Sequence, residues 1–504
     1  MRSFTYTHRI LMLVLALAAT AYFFQLGRAG FDDAEAYSAF IASRRTLPEV
    51  FDASLRLDPG KGGGLYVFML HWYCEVFGIG EAALRAFSAA FALACVMLIY
   101  ALTASLFDGE MALIATVLWA FNPIALIVAR WARMYSMFIA LTLGSLLALR
   151  KVQQHPNALR VAMFGVLGAA MLYTHLGAAL IMAAEAALLA RERWRGRPIL
   201  PGGIGIAIAL MLFAPIAPSA MGQLHASALG HRFDWIGSAH QVPLALQMVA
   251  AVLAIMSGSF LVFGPRLRID RDDSEPLRWC AIWSILPLLS LLSGSLLFHP
   301  MFEIRYIAPV VAGLTMLAAA ALSLLGRRIT NLATAAIASA FLLVAILFQM
   351  FHARFDLWPR IARAIEARGS PAQQVFFEAG YVMGIRQAAG LDPDSLTEVL
   401  PNGYLRIPVD YYLRAANPRR AINPFRTAAA REAIAQAARR DGGAWLVSHL
   451  NDADLAAELP PREAFDCARF IYDPSVSVSL YHIMPLAPAS SSQTAPDRDV
   501  RISK

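Results

Sequence analysis

Three carboxylates stand within four residues in Asp32-Asp33-Ala34-Glu35, just after an unbroken apolar stretch from Ile10 to Leu26. Acids at the lip of a membrane helix are costly unless they do chemistry or meet a cation. Matching cations occur elsewhere in the chain. Arg130 and Arg133 lie in Ala129-Arg130-Trp131-Ala132-Arg133-Met134-Tyr135, and Arg305 lies in His299-Pro300-Met301-Phe302-Glu303-Ile304-Arg305-Tyr306. Lys61 follows the acids in the same loop. A carboxylate can take a proton from an acceptor hydroxyl. A guanidinium fork suits phosphate oxygens, and it is favoured more at a transition state in which the phosphate gains negative charge. Acids and arginines together thus fit transfer of a group, such as a sugar, from a lipid phosphate. Asp33 is the favoured base, with Glu35 orienting it or binding a cation and Asp32 as the spare. Arg133, Arg305, Arg130 and Lys61 are the candidate phosphate ligands.

These residues can share a site only if the membrane elements bring them to one face. The chain of 504 residues is 58% hydrophobic and 15% charged, against about 25% charged in soluble domains. The +8 net charge is therefore no nucleic-acid signal, because most basic residues sit in short turns between apolar spans. Taking about 20 apolar residues per span, eleven spans are expected, at 9–27, 83–107, 111–129, 134–150, 159–175, 176–190, 199–220, 242–264, 278–298, 306–325 and 330–351. The first reads as a retained anchor rather than a cleaved signal peptide, since its apolar run is long and no Ala-x-Ala site follows.

With a cytoplasmic N-terminus, the turns Arg150-Lys151, Arg191 to Arg197, Arg266 to Arg278 and Arg327-Arg328 all fall inside. The acids, Arg130, Arg133, Thr174-His175 and Arg305 then share the outer lip, where the positive-inside tendency does not explain arginines. An odd span count puts the tail outside too, in the periplasm of a Gram-negative cell. The expected domains are a membrane domain over 1–351 with an outer first loop at 28–82, a soluble α/β domain over 352–486, and a disordered Ser/Pro/Asp-rich end at 487–504. Apolar stretches of the first loop, such as Leu65 to Leu70, read as interfacial helices. The β-like runs Gln374 to Phe377, Ala444 to Val447 and Val478 to Tyr481, with the helical stretch Ala428 to Ala438, carry the α/β reading. Cys74, Cys95, Cys280 and Cys467 are dispersed and imply no disulfide framework.

The sequence also resembles a known family, the type C membrane-integral glycosyltransferases, specifically glycosyltransferase family 39 and its relatives. These include protein O-mannosyltransferases and the lipid A sugar transferases. Ordered landmarks carry the resemblance: Glu35-Ala36-Tyr37, Gly64-Leu65-Tyr66 through Leu70-His71-Trp72, Phe77-Gly78, Ala83-Leu84-Arg85-Ala86-Phe87-Ser88, Asn122-Pro123 before Ala132-Arg133-Met134-Tyr135, Leu172-Tyr173-Thr174-His175, and Arg305-Tyr306. The resemblance implies a polytopic α-helical fold and an inverting sugar transfer from a polyprenyl-phosphate donor to a lipid, glycan or protein acceptor at the outer face of the inner membrane. Ala34 stands where the family usually has Asp, and Trp131 replaces an acid before Ala-Arg-Met-Tyr. Tyr66, His71, Tyr135, His175 and Tyr306 are candidate pocket residues. His71 or His175 with Glu35 is the one metal-like grouping, so a divalent cation is the cofactor left open. Two other readings stand beside the enzyme: a transporter or flippase of a lipid-linked sugar, which would place charges in mid-span where Glu185 is the main exception, and an inactive lipid-binding relative.

Overall fold

The computed structural model describes residues 2–57, 64–221, 275–297, 306, 308–352, 357–378, 408–409, 411–413, 422–425, 428–448, 459–461, 464–473 and 478–486. The eighth expected span, Lys61, Arg305, the side chain of Asp33 and the terminal stretch after 486 lie outside these residues. The chain divides into two compact units, one of Met1–Trp358 with Tyr381–Leu400 and one of Pro359–Gly380 with Pro401–Lys504.

The first unit is helical. It runs α1 (Arg2–Phe23), α2 (Asp33–Ala42), α3 (Leu47–Leu57), α4 (Leu65–Phe77), α5 (Glu81–Leu106), α6 (Gly109–Ala120), α7 (Pro123–Ala129), α8 (Tyr135–Gln154), α9 (Ala158–Thr174), α10 (Ala178–Trp194), α11 (Leu200–Phe213), α12 (Glu275–Leu297), α13 (Ala308–Ser323) and α14 (Arg327–His352). Every expected span among the described residues falls on helix, all but one of them on a single main helix. Four described helices are long and apolar enough to cross a membrane: those in Glu81–Leu106, Tyr135–Gln154, Leu200–Met221 and Glu275–Gly294. With the shorter apolar helices, they make this a multi-pass membrane protein.

One expected span is different in kind. The stretch at 111–129 is two helices, α6 and α7, bent by 60°. The break sits at Phe121-Asn122. Pro123 disfavours the α conformation in the residue before it, and Asn122 caps α7 by accepting the Ile124 N–H at 2.9 Å. The Tyr22 hydroxyl of α1 donates to the Ala120 carbonyl at 2.9 Å, satisfying a group released by the break. The bend turns the chain so that residues 130–134 lie beside α2 rather than continuing outward.

Small residues set the closest helix contacts. A Cβ at Gly165 of α9 would stand 2.6 Å from Ile208 and 2.9 Å from the Gly205 carbonyl of α11, and one at Gly168 would stand 2.9 Å from Ala209. Close backbone approach of this kind is how helices associate where lipid offers no hydrophobic drive.

The second unit holds a mixed five-stranded sheet, ordered β2-β1-β3-β5-β4. Its strands are β1 (Val375–Glu378), β2 (Ile422–Phe425), β3 (Ala444–Ser448), β4 (Phe465–Asp473) and β5 (Val478–Pro485). β1 pairs in parallel with β2 and β3, while β5 pairs antiparallel with β3 and β4. β3 is buried on both faces, which explains its unbroken apolar run. Helix α16 (Ala428–Asp441) packs Ile434 and Ala438 against Phe376, Leu446 and Ile483. Helix α15 (Leu357–Arg368) precedes the sheet.

Candidate active site

The spacing of the acids has a local structural consequence. Asp32 is the N-cap of α2: its Oδ1 accepts the Glu35 N–H at 2.7 Å, and Glu35 Oε2 accepts the Asp32 N–H at 3.1 Å. This reciprocal capping box fixes where α2 begins. Asp33 is the first residue of the helix.

Glu35 is buried, at 2% exposure, and meets Arg85 from the first turns of α5. Arg85 Nε donates to Glu35 Oε1 at 2.8 Å and Nη2 to Oε2 at 2.6 Å, a bidentate pair. The same guanidinium donates through Nη1 to the carbonyls of Leu26 and Ala29, and through Nη2 to that of Gly30, at 2.7–2.8 Å. All of its donors therefore hold the turn between α1 and α2. The sequence alone does not show this pairing of Arg85 with Glu35, which spans 50 residues.

The 130–134 turn closes the other side. The Ala132 N–H donates to Glu35 Oε1 at 2.9 Å, and the Trp131 indole donates to Asp32 Oδ2 at 2.7 Å. Trp131, which stands where the related family has an acid, is thus a donor to an acid. Arg133 is 3% exposed and donates through Nη1 to the Ala34 carbonyl at 3.1 Å and to Ser38 Oγ at 3.3 Å. A cation therefore abuts the residue next to Asp33. Behind it, the Tyr66 hydroxyl bonds Ser88 Oγ at 2.8 Å, and Ser88 donates to the Arg133 carbonyl at 3.2 Å.

Aromatic rings extend the site. Trp131 stacks on Tyr135 with centroids 5.1 Å apart. His175, at the end of α9, stacks on Phe138 at 5.2 Å and contacts Tyr135 at 6.0 Å and Tyr306 at 5.1 Å. Its Nδ1 accepts the Gly177 N–H at 2.9 Å, so the neutral ring carries its proton on Nε2. The buried Tyr135 hydroxyl has no hydrogen-bond partner among the described residues.

Asp32, Glu35, Arg133, Tyr135, His175 and Tyr306 thus belong to one connected group. Two other candidates do not. His71 donates from Nδ1 to the Ala42 carbonyl at 2.8 Å, at the far end of α2. Arg130 donates to the carbonyls of Ala21, Tyr22 and Phe24, closing the C-terminus of α1. The grouping of Glu35 with either histidine does not form, because Arg85 holds the carboxylate. Among the described residues no three His, Cys, Asp or Glu side chains gather as metal ligands.

Comparison with known proteins agrees with this architecture. The family described as dolichyl-phosphate-mannose-protein mannosyltransferase matches residues 64–218. The structure is similar to ArnT from Cupriavidus metallidurans in the apo state, with a TM-score of 0.58 and 14% identity over 94% of this chain and 97% of that one. It is also similar to the same protein bound to undecaprenyl phosphate, with a TM-score of 0.54, 14% identity and the same coverage. No curated protein matches the sequence. The fold is that of the type C membrane glycosyltransferases.

Proposed function

We propose that this protein is an inverting glycosyltransferase that moves a sugar from a polyprenyl-phosphate donor to a lipid, glycan or protein acceptor on the periplasmic face of the inner membrane. The observation that carries the reading is the contact of the Arg133 guanidinium with the first turn of α2, beside Asp33. A base and a cation at one membrane lip are what the reaction needs. The solved relative bound to undecaprenyl phosphate supports a lipid-phosphate donor.

In this reading Asp33 takes the proton from the acceptor hydroxyl. The acceptor oxygen attacks the anomeric carbon as the carbon–oxygen bond to phosphate breaks, and polyprenyl phosphate leaves with one more negative charge. Arg133, with Arg305 and Lys61, holds that charge as it develops. Asp32 and Glu35 position the base instead of acting as bases, since both oxygens of each accept donors within the fold. Tyr135, His175 and Tyr306 line the sugar side. The sheet-bearing unit, within 352–486, serves as a periplasmic domain that supports or docks the acceptor.

The test is Asp33→Asn in full-length protein reconstituted with a polyprenyl-phosphate sugar. Turnover should fall by about 10²–10⁴-fold, the usual contribution of a general base, with thermal stability unchanged. Wild-type turnover in that variant would overturn the assignment. Mass profiling of envelope lipids and glycans in a deletion strain would identify the sugar from the mass that is lost; an unchanged profile would count against transfer.

A further inference from the structure

Helices α8 and α10 both begin beside the candidate active site, near Tyr135 and Ala178, and run away from it. Arg150 lies about 22 Å beyond Tyr135 along α8. There the two helices meet the start of α12, and a second charged cluster forms. Glu192 is buried at 3% exposure. It pairs with Arg197 at 2.8 Å, with Arg191 at 3.5 Å and with Arg195 at 3.8 Å. Glu275, the first residue of α12, pairs with Arg195, with Arg197 at 3.7 Å and with Arg191 at 3.8 Å. Arg150 lies within the field of both carboxylates.

Three guanidiniums therefore pair with two carboxylates, and with Arg150 nearby the group carries a surplus of two positive charges among the described residues. The preceding segment 265–274, outside those residues, carries three arginines and three aspartates and is neutral in sequence. Two buried side-chain donors at this end of α8, Arg150 Nε and Gln153 Nε2, have no acceptor among the described residues. Buried N–H groups left unmatched are destabilising. A topology signal needs only charge in a turn; it needs neither buried carboxylates nor unmatched donors. Trp194, 89% exposed beside the cluster, is the kind of ring that sits at headgroup depth.

We propose that this cluster binds a phosphate-type anion, supplied by the headgroup of an anionic phospholipid at the membrane face opposite the candidate active site. The oxygens of such a headgroup would neutralise the surplus charge and accept from Arg150 and Gln153. The proposal is independent of sugar transfer.

The test uses the full-length protein in nanodiscs of phosphatidylcholine with and without phosphatidylglycerol, followed by native mass spectrometry of the lipid retained. A second arm titrates inorganic phosphate in detergent and reads thermal stability. Phosphatidylglycerol should be retained in preference to phosphatidylcholine. Arg150→Gln should cut the preference about fivefold, and Glu275→Gln should raise it. Arg160→Gln, at a half-buried arginine in the first turn of α9 that donates to the His155 carbonyl, should leave it unchanged. Phosphate stabilisation without lipid preference would overturn the lipid source while supporting the anion site. Equal retention of both lipids with no response to phosphate would overturn the proposal in the wild-type protein alone. Both readouts report binding, so an inactive enzyme would not confound them.

Discussion

Glu35 accepts two bonds from Arg85, one from the Ala132 amide and one from the Asp32 amide. Each partner comes from a different part of the chain, so the carboxylate joins α2, α5 and the 130–134 turn. Its loss should leave Arg85 buried without its counter-ion, which typically costs about 3–5 kcal/mol. Glu35→Ala should therefore lower the thermal aggregation midpoint of the solubilised protein sharply, whereas Asp33→Asn should not. If the two behaved alike, the division of labour between these acids would fail. Tyr135 supports a second prediction. Its hydroxyl is buried and unmatched among the described residues, so Tyr135→Phe should leave stability unchanged or raise it by up to about 1 kcal/mol. If the hydroxyl serves the sugar, KM should rise or kcat fall while the melting temperature holds. The sequence showed that acids and arginines belonged together, but an Asp-x-x-Glu spacing suits a helix cap and an acid pair equally well. Only the long-range partners, Arg85 and Trp131, distinguish the roles.

Hydropathy alone located the helices of the first unit closely, because apolar runs bounded by charged turns are strong signals. It could not show that one run holds two helices. The 60° bend between α6 and α7 depends on Asn122-Pro123 acting as cap and first residue, a local effect that averaging over a span conceals. The contact between α9 and α11 was equally hidden, since glycines score as ordinary members of an apolar stretch. Gly165→Val should wedge a branched side chain against Ile208 and the Gly205 backbone. Overpacking of that kind costs about 1–3 kcal/mol, readable as a lower melting temperature in detergent. Gly109, at the start of α6, has nothing within reach of an added Cβ, so Gly109→Ala is the matched control and should be neutral. Equal effects at both positions would count against close packing as the cause.

At the scale of the whole molecule, two units of different chemistry share one chain, and three strands of the second, β1, β3 and β5, were legible as short apolar runs, whereas β2 and β4 were not. The strand order was not legible either, because the mixed sheet places β1 between β2 and β3. His482 of β5 gives this unit its own pH response. Its ring stacks on Trp445 of β3 with centroids 4.0 Å apart, and its Nε2 is buried without a partner among the described residues. Burial holds its pKa below the ordinary histidine range, with the nearby Asp466 acting weakly in the opposite sense. A histidine depressed in the folded state binds fewer protons than the unfolded chain. Its stabilisation is complete above the unfolded value near 6.5 and is lost as pH falls below it. Amide exchange of Ala444–Ser448, taken relative to the intrinsic exchange rate at each pH, should therefore quicken on going from pH 7.5 to 5 in the full-length protein, and His482→Gln should flatten the response. Unchanged exchange in the wild type would refute the mechanism.

The bonds of Arg85 and of the 130–134 turn reach backward along the chain, to residues 26–35. A ribosome makes α2 and its acids long before it makes their partners. During synthesis, the acidic lip can acquire its final form only after α5 has entered the bilayer and the α6–α7 bend has delivered Trp131 to Arg133. Assembly of the membrane unit thus precedes competence: a growing chain carries its acids early, but the setting that gives them separate roles arrives about a hundred residues later.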